Sequence, residues 1–229
     1  IVVDGVFSME GDIANLPEIV RLANKYGATI MTDCAHAIGV LGKNGAGTSS
    51  HFGLDNEVDL IGGTFSKSLA SIGGFVASDA DTINYLKHHS RALIFSASMP
   101  ASTVASVLAV LDLLESDDSL IAKLWENTHH AHRLFRDYGI DIGKTETPII
   151  PIYVRNFMKT FELTTELFKA GLFVNPVIPP AVGPEDTMIR FSLMASHSKE
   201  QIDIAVEKIY KTMKKLGIET LQDKNMAAH

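Results

Sequence analysis

The chain has 229 residues, enough for one large domain or one and a half, and 46% hydrophobic residues with positive mean hydropathy give ample material for a buried core. Twenty bases against 27 acids leave a net charge of −7 and no basic stripe, which argues against a nucleic-acid binder. A single cysteine excludes an intramolecular disulfide and agrees with a cytoplasmic location, and neither a membrane-span-length apolar run nor a secretory leader pattern is visible.

Ile1-Val2-Val3-Asp4-Gly5 reads as a strand already inside a domain and no initiator Met precedes it, so the chain is expected to be a fragment. Apolar residues at 16, 19, 20, 23 and 26, with Pro17 near the start and Gly27 at the end, predict a helix packed on a sheet. Ala28 to Thr32 follows as a buried strand, which puts Asp33 at its C-terminal end, where open α/β sheets bind ligands. The glycine-rich residues 39–53 read as a loop. Val58 to Gly62 is the next predicted strand, Phe75 to Ser78 another, and a helix follows near Asp79 to Arg91. A strongly apolar helix over Ser102 to Leu114 and a second over Leu120 to Tyr138 mark a change of architecture. Beyond Gly139 the expected order is strand (Ile149 to Val154), helix (Phe157 to Ala170), strand (Phe173 to Ile178), strand (Met188 to Met194) and helix (Lys199 to Leu216). Ser198 with Gln201 three residues later predicts a capping box for the last helix. The reading is an α/β chain: a sheet domain over residues 1–100, connecting helices over 101–139, a small α+β domain over 140–221 and a polar, frayed tail over 222–229.

Chemistry concentrates in Thr32-Asp33-Cys34-Ala35-His36 and Gly62-Gly63-Thr64-Phe65-Ser66-Lys67-Ser68. The separation of Asp33 from Lys67 suits one strand-helix-strand unit that returns both to the same edge of a sheet. A lysine amine can form a Schiff base with the aldehyde of pyridoxal phosphate (PLP). A carboxylate facing the ring nitrogen keeps that nitrogen protonated, so that the ring works as an electron sink. Small residues around the lysine permit close approach of a ligand, and the Thr64, Ser66 and Ser68 hydroxyls can bind phosphate oxygens. Taken singly, Lys67 equally reads as a solvated surface charge and Asp33 as a cap or turn former. His129, His130, His132 and His197 read as structural histidines.

The segments Asp4-Gly5-Val6-Phe7-Ser8-Met9-Glu10-Gly11, Asp33-Cys34-Ala35-His36-Ala37-Ile38-Gly39-Val40-Leu41-Gly42, Gly63-Thr64-Phe65-Ser66-Lys67-Ser68, Phe95-Ser96-Ala97-Ser98 and Met188-Ile189-Arg190-Phe191-Ser192-Leu193, in this order, resemble the α-oxoamine synthase family of fold type I PLP enzymes. The likeness covers nearly the whole chain. It implies a fold type I PLP-dependent transferase in which residues 1–100 are the C-terminal part of the large PLP-binding domain. The upstream part, with a Gly-rich phosphate turn and a ring-stacking His, is absent from this chain. It further implies PLP as cofactor, Lys67 as its covalent partner, Asp33 at the pyridine nitrogen and His36 near the ring's 3-oxygen. Ala35 packs on the ring, and Ser8, Thr64 and Ser66 are cofactor contacts, with the Thr64 hydroxyl on the phosphate. Ser96, with Ala97, reaches the phosphate of a neighbouring subunit, so a homodimer with shared sites is expected. Arg190 binds the amino acid carboxylate, a role suited to its planar fork of donors. No metal is implied. Position 34 departs from the family's usual acid: Cys34 reads as a buried, inert thiol.

Within that family, Ser66-Lys67-Ser68-Leu69-Ala70-Ser71-Ile72-Gly73-Gly74-Phe75 and Lys87-His88-His89-Ser90-Arg91-Ala92-Leu93-Ile94-Phe95-Ser96-Ala97-Ser98 are most similar to the bacterial branch that joins L-serine to a long-chain acyl-CoA. The implied products are 3-ketosphinganine, CO2 and free CoA, with peripheral association at the inner face of the membrane as a companion expectation. Branches that acylate glycine with an acetyl group or make 8-amino-7-oxononanoate are the near alternatives. A non-catalytic paralogous subunit is the alternative of another class, and the presence of Lys67 counts against it.

Overall fold

Between residues 1 and 121, three short strands lie parallel: β1 (Val2–Asp4), β2 (Met31–Asp33) and β3 (Leu60–Thr64); β4 (Gly74–Ala77) pairs antiparallel with β3, giving the order β1-β2-β3-β4. Parallel neighbours need a crossover, and α1 (Leu16–Tyr26) provides the one between β1 and β2. It buries Leu16, Val20 and Ala23 in a cluster with Ile30. Leu16, Val20 and Ile30 each contribute about 1.5–3 kcal/mol when fully buried. Pro17 opens the helix, and Gly27, in the left-handed conformation, closes it with its N–H on the Ala23 carbonyl.

The computed structural model describes residues 1–223, and several predicted boundaries shift in it. Residues 39–53 are not an open loop but hold a 3-10 turn (Lys43–Gly45) and a short helix, α2 (Thr48–Phe52). β3 begins two residues later than its apolar run because Asp59 is occupied: its carboxylate accepts the Ile30 N–H at 2.7 Å and its own N–H donates to the Ile30 carbonyl. The strand therefore runs on through Gly62-Gly63 and ends at Thr64. The helix predicted to reach Arg91 divides into α3 (Ala80–His89) and α4 (Arg91–Ile94), since Ser90 takes an extended backbone conformation and its hydroxyl caps the second piece. The apolar α5 (Ala101–Ser116) follows.

The chain folds as two compact units: residues 1–7 with 13–121, and residues 8–12 with those from 122 onward. The second division falls in the first turn of α6 (Ser119–Asp137), so the predicted connecting segment is shared between them. The second unit holds β5 (Ile149–Tyr153), α7 (Phe157–Lys169), β6 (Asn175–Val177), β7 (Met188–Ser192) and α8 (Lys199–Lys215). Its sheet is antiparallel with β7 in the middle. Phe135 of α6, Ile150 and Ile152 of β5, Leu163 and Leu167 of α7 and Val206 of α8 are fully buried in one core. The capping box forms as expected: the Gln201 N–H donates to Ser198 Oγ at 3.1 Å, and the Ser198 N–H donates to Gln201 Oε1 at 3.0 Å. At the start of the predicted tail, Gln222 Nε2 donates to the Asp137 carbonyl at 3.2 Å, and residues 224–229 lie outside the described residues. Among the described residues no helix is long and apolar enough to cross a membrane.

Candidate active-site residues

Asp33 is the last residue of β2, in register with Asp4 on β1 and Gly62 on β3. Two strand ends therefore converge, because the Gly5 N–H donates to the Asp33 carbonyl and the Cys34 N–H to the Gly62 carbonyl, each at 2.7 Å. The exposed Asp33 carboxylate accepts the Ala35 N–H at 2.9 Å, folding the chain into a tight turn that presents half-buried His36. No basic side chain among the described residues pairs with Asp33. Cys34 points inward, fully buried, with Sγ 3.6 Å from Thr32 Oγ1, as befits an inert thiol.

Lys67 leaves the adjacent parallel strand at the same end. Phe65 and Leu69, 8% and 3% exposed, anchor the turn on either side of it in an apolar cleft of about 400 Å³ that Phe75, Met99 and Leu108 also line. Backbone bonds close the turn: the Phe65 N–H donates to the Gly73 carbonyl at 2.9 Å and the Ser71 N–H to the Phe65 carbonyl at 2.8 Å. Between these anchors Lys67 is exposed, and its ammonium has no hydrogen bond or ion pair among the described residues. The Ser68 hydroxyl donates to the Ile38 carbonyl and so ties this turn to the segment after His36. That approach requires Gly39, since a Cβ there would lie 2.8 Å from the Ser68 Cβ at a φ of +73°. Thr64 Oγ1 lies 2.9 Å from Ser66 Oγ and 3.2 Å from the Gly73 carbonyl; when its proton goes to Gly73, the exposed Ser66 hydroxyl donates to Thr64 Oγ1, leaving the Ser66 oxygen free to accept.

Ser96 follows α4 in an exposed bend, with Ala97 and a 79%-exposed Phe95 beside it. Its hydroxyl donates to the Ala92 carbonyl. In the second unit Arg190 stands on the central strand β7, opposite Pro151 of β5 and Asn175 of β6. Alternation sends Ile189, Phe191 and Leu193 into the core and leaves Arg190 and Ser192 on the other face. The Arg190 Nε–H donates to the Ser8 carbonyl and Nη1–H to Ser192 Oγ, both at 2.7 Å. Burial pushes this guanidinium below its ordinary pKa, and no carboxylate among the described residues pairs with it. The four histidines read as structural have structural partners: His130 Nε2 meets Asp203 at 2.6 Å, the buried His132 donates from Nε2 to the Thr147 carbonyl at 3.0 Å, His197 Nδ1 accepts the Met194 N–H, and the His129 ring lies against Trp125 with centroids 5.6 Å apart.

Two adjacent parallel strands thus deliver a carboxylate, an unpaired amine and a pair of hydroxyls from the same sheet edge, a donor set suited to an anionic, aldehyde-bearing cofactor. Sequence reasoning overlooked Ser192 and the backbone carbonyl of Ser8. The first was legible as a hydroxyl two residues beyond Arg190 on one strand face. The second is a main-chain contact over 182 residues of sequence and left no signal.

Residues 1–209 match the family described as aminotransferase class I and II. Over 218 residues the chain is 58% identical to the serine palmitoyltransferase of Bacteroides thetaiotaomicron, covering 95% of this chain and 55% of that protein. Over 218 residues it is 46% identical to the 8-amino-7-oxononanoate synthase of Petrotoga mobilis, with the same coverage of each. A solved structure of SPT with PLP as an internal aldimine superposes with a TM-score of 0.91 at 32% identity, covering 95% of this chain and 55% of that one. The chain spans about half the length of the curated relatives it matches.

Proposed function

The chain belongs to the aminotransferase class I and II family, and from that premise we propose that the full-length protein is a PLP-dependent acyltransferase that condenses L-serine with palmitoyl-CoA or a similar long-chain acyl-CoA. The products are 3-ketosphinganine, CO2 and free CoA, the first step of sphingolipid synthesis. The fold is the mixed α/β, fold type I fold of PLP-dependent transferases. The observation that carries the reading is the emergence of Asp33 and the unpaired Lys67 from the C-terminal ends of adjacent parallel strands. Identity of 58% to a serine palmitoyltransferase against 46% to an 8-amino-7-oxononanoate synthase favours the long-chain reaction over that second reading.

The donor set fits PLP. When bound, PLP supplies an electron sink for the α-carbon of an amino acid. Lys67 would hold it covalently through Nζ, and the same amine would serve as the base and acid for the α-proton of the amino acid. Asp33 holds a proton on the ring nitrogen through an ion pair. His36 and Ala35 would pack against the ring, His36 on its 3-oxygen side, and Ser8 would be a further cofactor contact. Thr64 and Ser66 donate hydroxyl hydrogen bonds toward the phosphate. Arg190 binds the carboxylate of serine with a bidentate fork that a lysine cannot reproduce. Ser96, with Ala97, serves the phosphate held by a second copy of the chain, so the active assembly is a homodimer. The protein acts in the cytoplasm, attached peripherally to the inner face of the membrane where its long-chain product resides.

The test is an assay of the full-length enzyme with serine, glycine and alanine against acyl-CoAs from acetyl to stearoyl. Serine with palmitoyl-CoA is expected to give the highest kcat/KM. A clear preference for alanine, or for glycine with acetyl-CoA, would assign the chain to one of the neighbouring reactions instead.

A further inference from the structure

Resting on the reading of Arg190 as the carboxylate ligand, we propose that Ser192 and the main chain at Ser8 are positioning groups that orient the Arg190 guanidinium so that it receives the substrate carboxylate end-on, through Nη1 and Nη2. A guanidinium carries five N–H donors in a fixed plane. Here Nε–H is committed to the Ser8 carbonyl and one Nη1–H to Ser192 Oγ, both at 2.7 Å. The first bond closes the Nε/Nη2 edge to a carboxylate. What remains is one N–H on Nη1 and both on Nη2, the pair that makes the end-on fork. A half-buried cation without an anionic partner carries an unmet desolvation cost, and a bound carboxylate offsets it.

Both positioning groups are themselves held. Ser192 lies two residues from Arg190 on the same face of β7, so the strand sets their spacing. The strap of residues 8–12 is fixed at Gly11, whose carbonyl accepts Thr147 Oγ1 at 2.8 Å and Thr145 Oγ1 at 3.2 Å. A side chain at position 11 is excluded, because a Cβ would stand 2.2 Å from the Ile149 carbonyl oxygen at a φ of +72°. Behind it, His132 Nε2 donates to the Thr147 carbonyl. The guanidinium therefore waits in one orientation, and less side-chain entropy is lost when a carboxylate docks.

The experiment measures binding of L-serine and of serinol, which has no carboxylate, to the full-length PLP-loaded enzyme by calorimetry, with steady-state kinetics alongside. Ser192→Ala is expected to weaken L-serine binding roughly tenfold, the scale of one hydrogen bond to a charged group. It should raise the KM for serine, leave kcat at saturation near the wild-type value and leave serinol affinity unchanged. Ser192→Thr keeps a hydroxyl on a side chain that suits a strand and is expected to restore wild-type serine affinity. Arg190→Ala, run in parallel, separates the two ideas. If Arg190→Ala loses serine affinity while Ser192→Ala keeps it, or if Ser192→Ala weakens serinol and serine alike, the positioning role is overturned and the carboxylate reading stands. Wild-type serine affinity in Arg190→Ala would overturn the carboxylate reading itself, and the positioning role with it.

Discussion

Lys67 and Asp33 owe their proposed chemistry to what they lack as much as to where they stand. Neither is paired with an opposite charge among the described residues, although both leave the sheet at the same edge. Lys67→Ala is expected to abolish the visible absorption of the cofactor bond in the full-length protein. Borohydride reduction and peptide mapping of the wild type should put the pyridoxyl group on Lys67, and its recovery on another lysine would withdraw the assignment. Asp33→Asn is expected to retain cofactor but to lose most of kcat, because a neutral amide no longer favours the protonated ring nitrogen. Turnover and absorption spectrum both matching the wild type would remove Asp33 from the ring. These residues were legible because each lies in a short segment whose own composition is unusual for a surface. The main-chain carbonyl of Ser8 was not, since its part is played through Arg190 by an atom that every residue carries.

At the scale of elements, local signals placed the helices well, with α1, α7 and α8 falling within two residues of their predicted ends. Caps explain this: Gly27, the Asn156 side chain and the Ser198 capping box terminate hydrogen-bonding patterns that sequence alone specifies. Strand limits fared worse, as β2 and β3 show, because Asp59 makes its bonds to Ile30, the residue just before β2. The packing of α6 has a consequence in acid. Burial holds His132 down to about 4, so the folded protein keeps it neutral while the unfolded chain takes up a proton below pH 6.5. This contribution to stability is complete above pH 6.5 and is lost as pH falls from 6.5 toward 4. The melting temperature of the full-length protein is expected to fall across that window, and His132→Asn to flatten the slope. Equal slopes in the two proteins would place the acid sensitivity elsewhere.

For the whole molecule, the proposed assembly is a homodimer in which each cofactor site borrows Ser96 from the other copy. The exposure of Ser96, Ala97 and Phe95 in the bend after α4 supports it. Co-expressing full-length Lys67→Ala chains with chains carrying Ser96→Glu, each inactive alone, should restore partial activity. One of the two sites in each mixed dimer then combines an intact Lys67 with an intact Ser96. Mixed dimers that form and remain inactive would show that each chain completes its own phosphate site.

The sequence by itself determined the class of fold, the helices with their caps and the two segments that carry Asp33 and Lys67, because periodicity, capping and motif composition are local properties of the chain. It also singled out Arg190, through a segment that resembles the α-oxoamine synthase family. Only the tertiary structure decided that β4 runs antiparallel beside β3, that the predicted loop after Gly39 folds into short helical turns, and that the strap at Ser8 reaches Arg190. Strand partners and main-chain acceptors are chosen by groups far away along the chain, through backbone atoms that every residue shares, and so they leave no mark in residue type.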